Sequence, residues 1–173
     1  MLRRVFIQVG MIAGLGFGAA VQADNLGAQQ TSLVKDVVLS VYVAEDGQER
    51  NLANLTLDDL KAMPQTSFMT ETVWTDGKQE FAGVSLADLA KQLGFSSGMF
   101  EAWAINDYLA EIPLSDAQPD GPIIAYLRNG APMSVRDKGP LWVIYPYDSD
   151  IAYQREEIYV RSVWQLNRLI HYP

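Results

Sequence analysis

Three segments gather the side chains that could do chemistry. They are Thr70-Glu71-Thr72-Val73-Trp74-Thr75-Asp76-Gly77, then Trp103-Ala104-Ile105-Asn106-Asp107-Tyr108, then Arg136-Asp137-Lys138-Gly139-Pro140-Leu141-Trp142 running on to Tyr145-Pro146-Tyr147-Asp148-Ser149-Asp150. Each mixes aromatic rings with charged groups. That mixture suits a pocket for a flat, polar or anionic small molecule: rings stack on Trp or Tyr faces, while guanidinium, ammonium and carboxylate groups read the ligand's edge. The third segment makes the strongest case, because Arg136, Asp137 and Lys138 precede a Gly-Pro turn into an apolar strand, with Tyr145, Tyr147 and Asp148 at its far end. Arg128, Arg136, Lys138, Arg155, Arg161 and Arg168 add positive charge to the C-terminal part of the chain.

Each segment also has a structural reading. Trp103 alternates with Ile105 and reads as a core residue, and Trp142 does the same. Asn106-Asp107 reads equally as a turn whose side chains bond the backbone, and Arg136 with Lys138 as a solvated turn. Asp148-Ser149-Asp150 lacks the remainder of a calcium loop.

Composition narrows the chemistry. The chain has 173 residues, 49% of them hydrophobic and 20% charged, which suits one domain with a real core. A formal net charge of −8 repels phosphate backbones and anionic membrane surfaces, so nucleic-acid binding is excluded as a leading reading. There is no cysteine and a single histidine, His171. Zinc, haem, iron–sulfur and copper sites thereby lose their usual ligands, as do cysteine and serine–histidine nucleophiles. His171, close to the end of the chain, reads as a frayed surface residue.

Residues 1–23 read as a signal peptide: Arg3-Arg4, an apolar run from Val5 to Ala20, then Val21-Gln22-Ala23. The arginine pair leaves both the general secretory and the twin-arginine route open, and a periplasmic location is expected. Residues 24–35 read as a flexible lead-in and 36–173 as one domain. Thr56-Leu57-Asp58-Asp59 carries the signature of a helix N-terminus, stopped by Pro64; Ser85-Leu86-Ala87-Asp88 repeats it, with Gly94 as the left-handed stop. Strands are expected at Val37–Val43, Ser67–Trp74, Met99–Ile105, Ile123–Leu127, Leu141–Tyr145 and Val160–Leu166, with a hairpin turn at Arg128-Asn129-Gly130-Ala131. The expected class is α+β, a mixed and largely β core with a few short helices.

From about Leu55 to Ile170 the chain resembles the molybdopterin-binding domain of the sulfite oxidase and methionine sulfoxide reductase superfamily. The carriers are a strand ending in Trp74, then Phe81-Ala82-Gly83-Val84-Ser85-Leu86-Ala87-Asp88-Leu89, Pro132-Met133, Gly139-Pro140-Leu141-Trp142-Val143-Ile144-Tyr145-Pro146 and Arg161-Ser162-Val163-Trp164. The resemblance implies that fold. It breaks at the metal: family enzymes of one branch hold molybdenum through a cysteine thiolate four residues before the tryptophan, and Thr70 stands there in this chain. A hydroxyl is too hard and too weakly acidic to replace a thiolate.

The cysteine-free T-x-T-x-W-T-D-G, N-D-Y and R-D-K-G-P-L-W motifs further resemble a group of small periplasmic pterin-binding proteins. That resemblance implies a reduced, metal-free pterin as ligand, with molybdenum disfavoured. It also implies a partner, the periplasmic sensing domain of a membrane diguanylate cyclase/phosphodiesterase. A pterin offers a 2-amino group and an N3–H to a carboxylate, for which Asp107 and Asp148 are candidates. Its O4 and N5 suit Asn106, Arg136 or Lys138, and its face suits Trp74, Tyr108, Tyr145 or Tyr147. Arg161 is the further candidate from the basic cluster. The expectation is a non-enzymatic pterin-binding protein. The alternatives are a molybdopterin-dependent oxidoreductase lacking the usual cysteine ligand, and a scaffold that keeps the fold for protein contacts alone.

Overall fold

A computed structural model describes residues 37–173, which lie within one compact unit, Asp36–Pro173. The proposed signal peptide and the lead-in lie outside the described residues. Ten strands dominate: β1 Val37–Glu45, β2 Gln48–Thr56, β3 Gln65–Glu71, β4 Lys78–Ser85, β5 Met99–Ala104, β6 Leu109–Pro113, β7 Ile123–Arg128, β8 Ala131–Pro132, β9 Trp142–Ile144 and β10 Leu166–Tyr172. The helices are short: α1 Leu57–Lys61, α2 Leu86–Leu93 and α3 Glu156–Arg161. The α+β class expected from sequence is therefore met, with strands prevailing.

The strands form two sheets. One runs β2-β1-β10-β5-β6, with β1 and β10 parallel and the other pairs antiparallel. The other runs β3-β4-β7-β8, with β9 also paired to β7. A single buried cluster draws Leu39, Val41, Phe100, Ala102, Ile112 and Leu169 from the first sheet together with Phe81, Val84, Ile123, Ile124 and Trp142 from the second. At about 25 cal/mol per Å² of apolar area, this shared burial is the main stabilising term.

Local signals positioned α1 and α2 as expected. The Thr56 hydroxyl accepts from the Asp59 amide while the Asp59 carboxylate accepts from the Thr56 amide, a reciprocal cap. Ser85 caps α2, and Gly94 ends it in the left-handed region at φ 82°. Asn129 and Gly130, both at positive φ, make the β7–β8 turn.

Four expectations need correction. Trp103 does not face the core: Phe100, Ala102 and Ala104 are the buried set of β5, so Trp103 lies half-buried on the opposite face and Ile105 is exposed. The strand's period was visible in the sequence, but the choice of face was not. Val160–Leu166 is not a strand, because Glu156 and Glu157 start α3, which runs through Val160 to Arg161, and β10 begins only at Leu166. Residues Thr72–Trp74 leave the sheet, since the Thr72 hydroxyl bonds Thr75 Oγ1 at 2.8 Å and accepts from the Trp74 amide at 3.2 Å, a local turn that competes with the ladder.

The fourth correction concerns His171. It is 5% exposed, stacked on Phe95 with ring centroids 3.8 Å apart, and its Nε2 lies 2.8 Å from the Ser97 carbonyl oxygen. The chain end is tied down because β10 pairs with β1 on one side and β5 on the other. Among the described residues no helix is long and apolar enough to cross a membrane.

Candidate functional site

The Thr72–Gly77 turn carries the site's central ring. Trp74 packs against Trp164 at 5.6 Å between centroids, Trp142 and Tyr159 at 5.9 Å each, and Tyr147 at 6.4 Å, all tilted or edge-on. Such pairs contribute roughly 0.5–1.5 kcal/mol each beyond their buried area. Three elements bring these rings together. Strand β9 holds Trp142 and leads into Tyr147, α3 supplies Tyr159, and Trp164 reaches back by a bridge to Trp142.

On one side of this cluster opens a cavity of about 310 Å³, lined by Glu71, Thr72, Val73, Tyr147, Asp148, Gln154 and Tyr159. Its volume lies in the range of small-ligand pockets. A pair of contacts links β3 to the Tyr147-Asp148 segment: Thr70 Oγ1 accepts from the Asp148 amide at 3.2 Å, and Asp148 Oδ2 accepts from the Glu71 amide at 3.2 Å. Lys78 Nζ lies 3.0 Å from that same oxygen. Gln154 Nε2 donates to the Tyr147 carbonyl at 2.9 Å. The Ser162 hydroxyl donates to the Ile158 carbonyl at 2.7 Å, so the Tyr147 hydroxyl donates to Ser162 Oγ.

Of the sequence-derived candidates, Tyr147 and Asp148 line this cavity, and Trp74 packs behind it against Tyr147 and Tyr159 without lining it. Lys138 lies beside the Trp142 and Trp164 members of the cluster, its Nζ 5.3 Å from the Trp164 centroid and 5.8 Å from that of Trp142. Tyr145 is fully buried away from the cavity, its hydroxyl donating to Asp116 Oδ2 at 2.8 Å, while Arg161 donates to the same oxygen at 3.0 Å. Asn106 and Asp107 form the exposed β5–β6 turn, with Asp107 at φ 64° and its amide bonded to the Ala104 carbonyl. The Tyr108 hydroxyl donates to the Val160 carbonyl on α3 at 2.9 Å. Arg136 is exposed in a single helical turn capped by Ser134. Asp150, the second carboxylate of the calcium-like triplet, accepts from the Ala152 amide at 2.8 Å instead.

Sequence reading missed Tyr159 and Gln154 as lining residues. Tyr159 was hidden by reading its neighbour Val160 as the start of a strand. On a helix beginning at Glu156, its ring could have been assigned to the face that meets Trp74.

Burial sets the titration of the two inner phenols. It raises the Tyr147 hydroxyl well above its ordinary value, and burial followed by the adjacent Asp116 carboxylate does the same for Tyr145. The folded protein therefore holds protons that the unfolded chain releases once pH passes about 10, and stability contributed by these groups is intact below that pH and lost above it. Thermal unfolding followed across this range is expected to show a falling midpoint, and phenolate absorbance of the native protein to lag that of the unfolded chain, with Tyr145 and Tyr147 lagging furthest.

The donor set does not fit a protein-held molybdenum. Thr70 is fully buried, and its hydroxyl accepts from the Asp148 amide and donates to the Glu71 carbonyl at 3.4 Å. Tyrosine rings, carboxylates and a side-chain amide line the one cavity. Neither a family model nor a curated protein matches this chain.

Proposed function

We propose that this chain binds a reduced, metal-free pterin in the cavity beside Trp74, on a fold of the sulfite oxidase molybdopterin-binding kind, and acts as a binding module rather than an enzyme. The observation that carries this reading is the meeting of Tyr147, Tyr159 and Asp148 around one opening, with Trp74 packed against both tyrosine rings. A pterin ring is flat, with donors along one edge and acceptors along another. Asp148 uses Oδ2 for the Glu71 amide and Lys78, and a carboxylate has capacity for further bonds, so it can receive the 2-amino group and N3–H. Gln154 donates one amide hydrogen to Tyr147, which leaves a second for O4 or N5.

Resemblance supplies the remainder of the proposal. The protein is periplasmic, and in its loaded form it contacts the periplasmic sensing domain of a membrane diguanylate cyclase/phosphodiesterase. The first test is mass spectrometry and fluorescence of ligand released by heat from protein purified out of the periplasm, with metal analysis of the same sample. A fluorescent pterin without molybdenum is the expected result. Molybdenum with a phosphorylated pterin would contradict the reading and restore the oxidoreductase.

A further inference from the structure

The solvent face of the sheet β2-β1-β10-β5-β6 carries a second hollow, of about 320 Å³, distinct in its lining from the cavity beside Trp74. Ser40, Tyr42, Trp103, Asp107, Asn167 and Arg168 are among its walls. Register explains why they meet: Ser40 pairs with Arg168, and Arg168 with Trp103, across three adjacent strands. A bulge between Leu166 and Arg168 lets the consecutive residues Asn167 and Arg168 line the same hollow, which a regular strand would send to opposite faces.

Arg168 lies over two aromatic rings. Its guanidinium carbon lies 4.6 Å from the Trp103 ring centroid and 5.9 Å from that of Tyr42. The nearest carboxylate contact, Glu49 Oε2 at 3.8 Å, is beyond hydrogen-bonding length. A guanidinium held over aromatic rings and only weakly engaged by a carboxylate is pre-organised to take a carboxylate through two parallel bonds. Asp107 lines the same hollow and forms no ion pair with Arg168 or any other described residue. Opposite charges that share a hollow without meeting call for a ligand bearing both. An anion alone would face Asp107 unpaired, and a cation alone would face Arg168.

We infer that this hollow is a site for a small zwitterion of the α-amino acid class, its carboxylate on Arg168 and its ammonium on Asp107, with Asn167 and Ser40 able to complete the hydrogen bonding. The site is separate from that proposed for the pterin.

The test is calorimetric titration of the full chain with glycine, L-alanine and L-leucine, alongside N-acetyl-L-alanine, which lacks the ammonium, and L-alaninamide, which lacks the carboxylate. At least one free amino acid is expected to bind below millimolar concentration, and both blocked analogues at least tenfold more weakly than alanine. Asp107→Asn in its exposed turn and Arg168→Gln in β10 are each expected to lower affinity at least tenfold. Absence of binding by all three amino acids at millimolar concentration would overturn the assignment. So would blocked analogues binding as well as the parent, or displacement of the amino acid by a reduced pterin.

Discussion

Replacing Asp148 with asparagine is expected to weaken pterin binding ten- to a hundredfold while leaving the fold almost unchanged. The carboxylate has two duties. Structurally, its Oδ2 accepts from the Glu71 amide and pairs with Lys78, a side chain that is 61% exposed. An asparagine carbonyl can still accept from that amide, and an exposed ion pair contributes only about 0–1 kcal/mol, so stability should fall by no more than that. For the ligand, the change is larger. A carboxylate accepts at both oxygens, whereas an asparagine amide presents donors to a pterin edge that is itself a donor. Losing a charge-assisted contact of roughly 1.5–3 kcal/mol converts to the stated range of affinity. Calorimetric titration of both proteins, with unfolding curves run in parallel, checks the two halves. Undiminished affinity in the variant would remove Asp148 from the site.

Gly83→Ala is expected to destabilise the domain by about 3 kcal/mol or more, or to prevent folding. Gly83 lies in β4, where the strand passes β7 with a register shift between Ala82 and Gly83. A Cβ built there would stand 2.0 Å from the Ile124 carbonyl oxygen and 2.6 Å from the Ala125 Cα. These are backbone atoms at the centre of the second sheet, and they cannot yield as a flexible side chain could. Relief would require parting β4 from β7, which opens the core around Phe81, Val84, Ile123 and Ile124. Circular dichroism and denaturant unfolding measure the effect, and a variant as stable as the parent would contradict the close packing of these strands.

What was legible in the sequence was local. The Thr56–Asp59 cap, the Gly94 stop and the Asn129-Gly130 turn depend on neighbours within a few residues, and each formed as its chemistry dictates. Strand β2 was not legible. Its sequence QERNLANLT shows little apolar alternation and is largely exposed, and it is a strand because β1 pairs with it along most of its length. Nor could the sequence decide which face of β5 is buried, because Trp103 and Phe100 are both plausible core residues and only the sheet behind them chooses.

The candidate site divides in the same way. Trp74, Tyr147 and Asp148 could be singled out by type, but their meeting rests on hydrogen bonds across more than seventy positions of chain, between Thr70 or Glu71 and Asp148. Tyr145 stands two residues from Tyr147 and was indistinguishable from it in sequence. The fold sends its hydroxyl to Asp116 and Arg161 instead.

The most direct measurement of the central claim is titration of the purified periplasmic form with a reduced pterin, read by calorimetry and by quenching of tryptophan fluorescence. One saturable site of micromolar affinity, with fluorescence quenched through Trp74, is the predicted result. Heat and fluorescence that stay flat to millimolar pterin, with the protein folded, would contradict it.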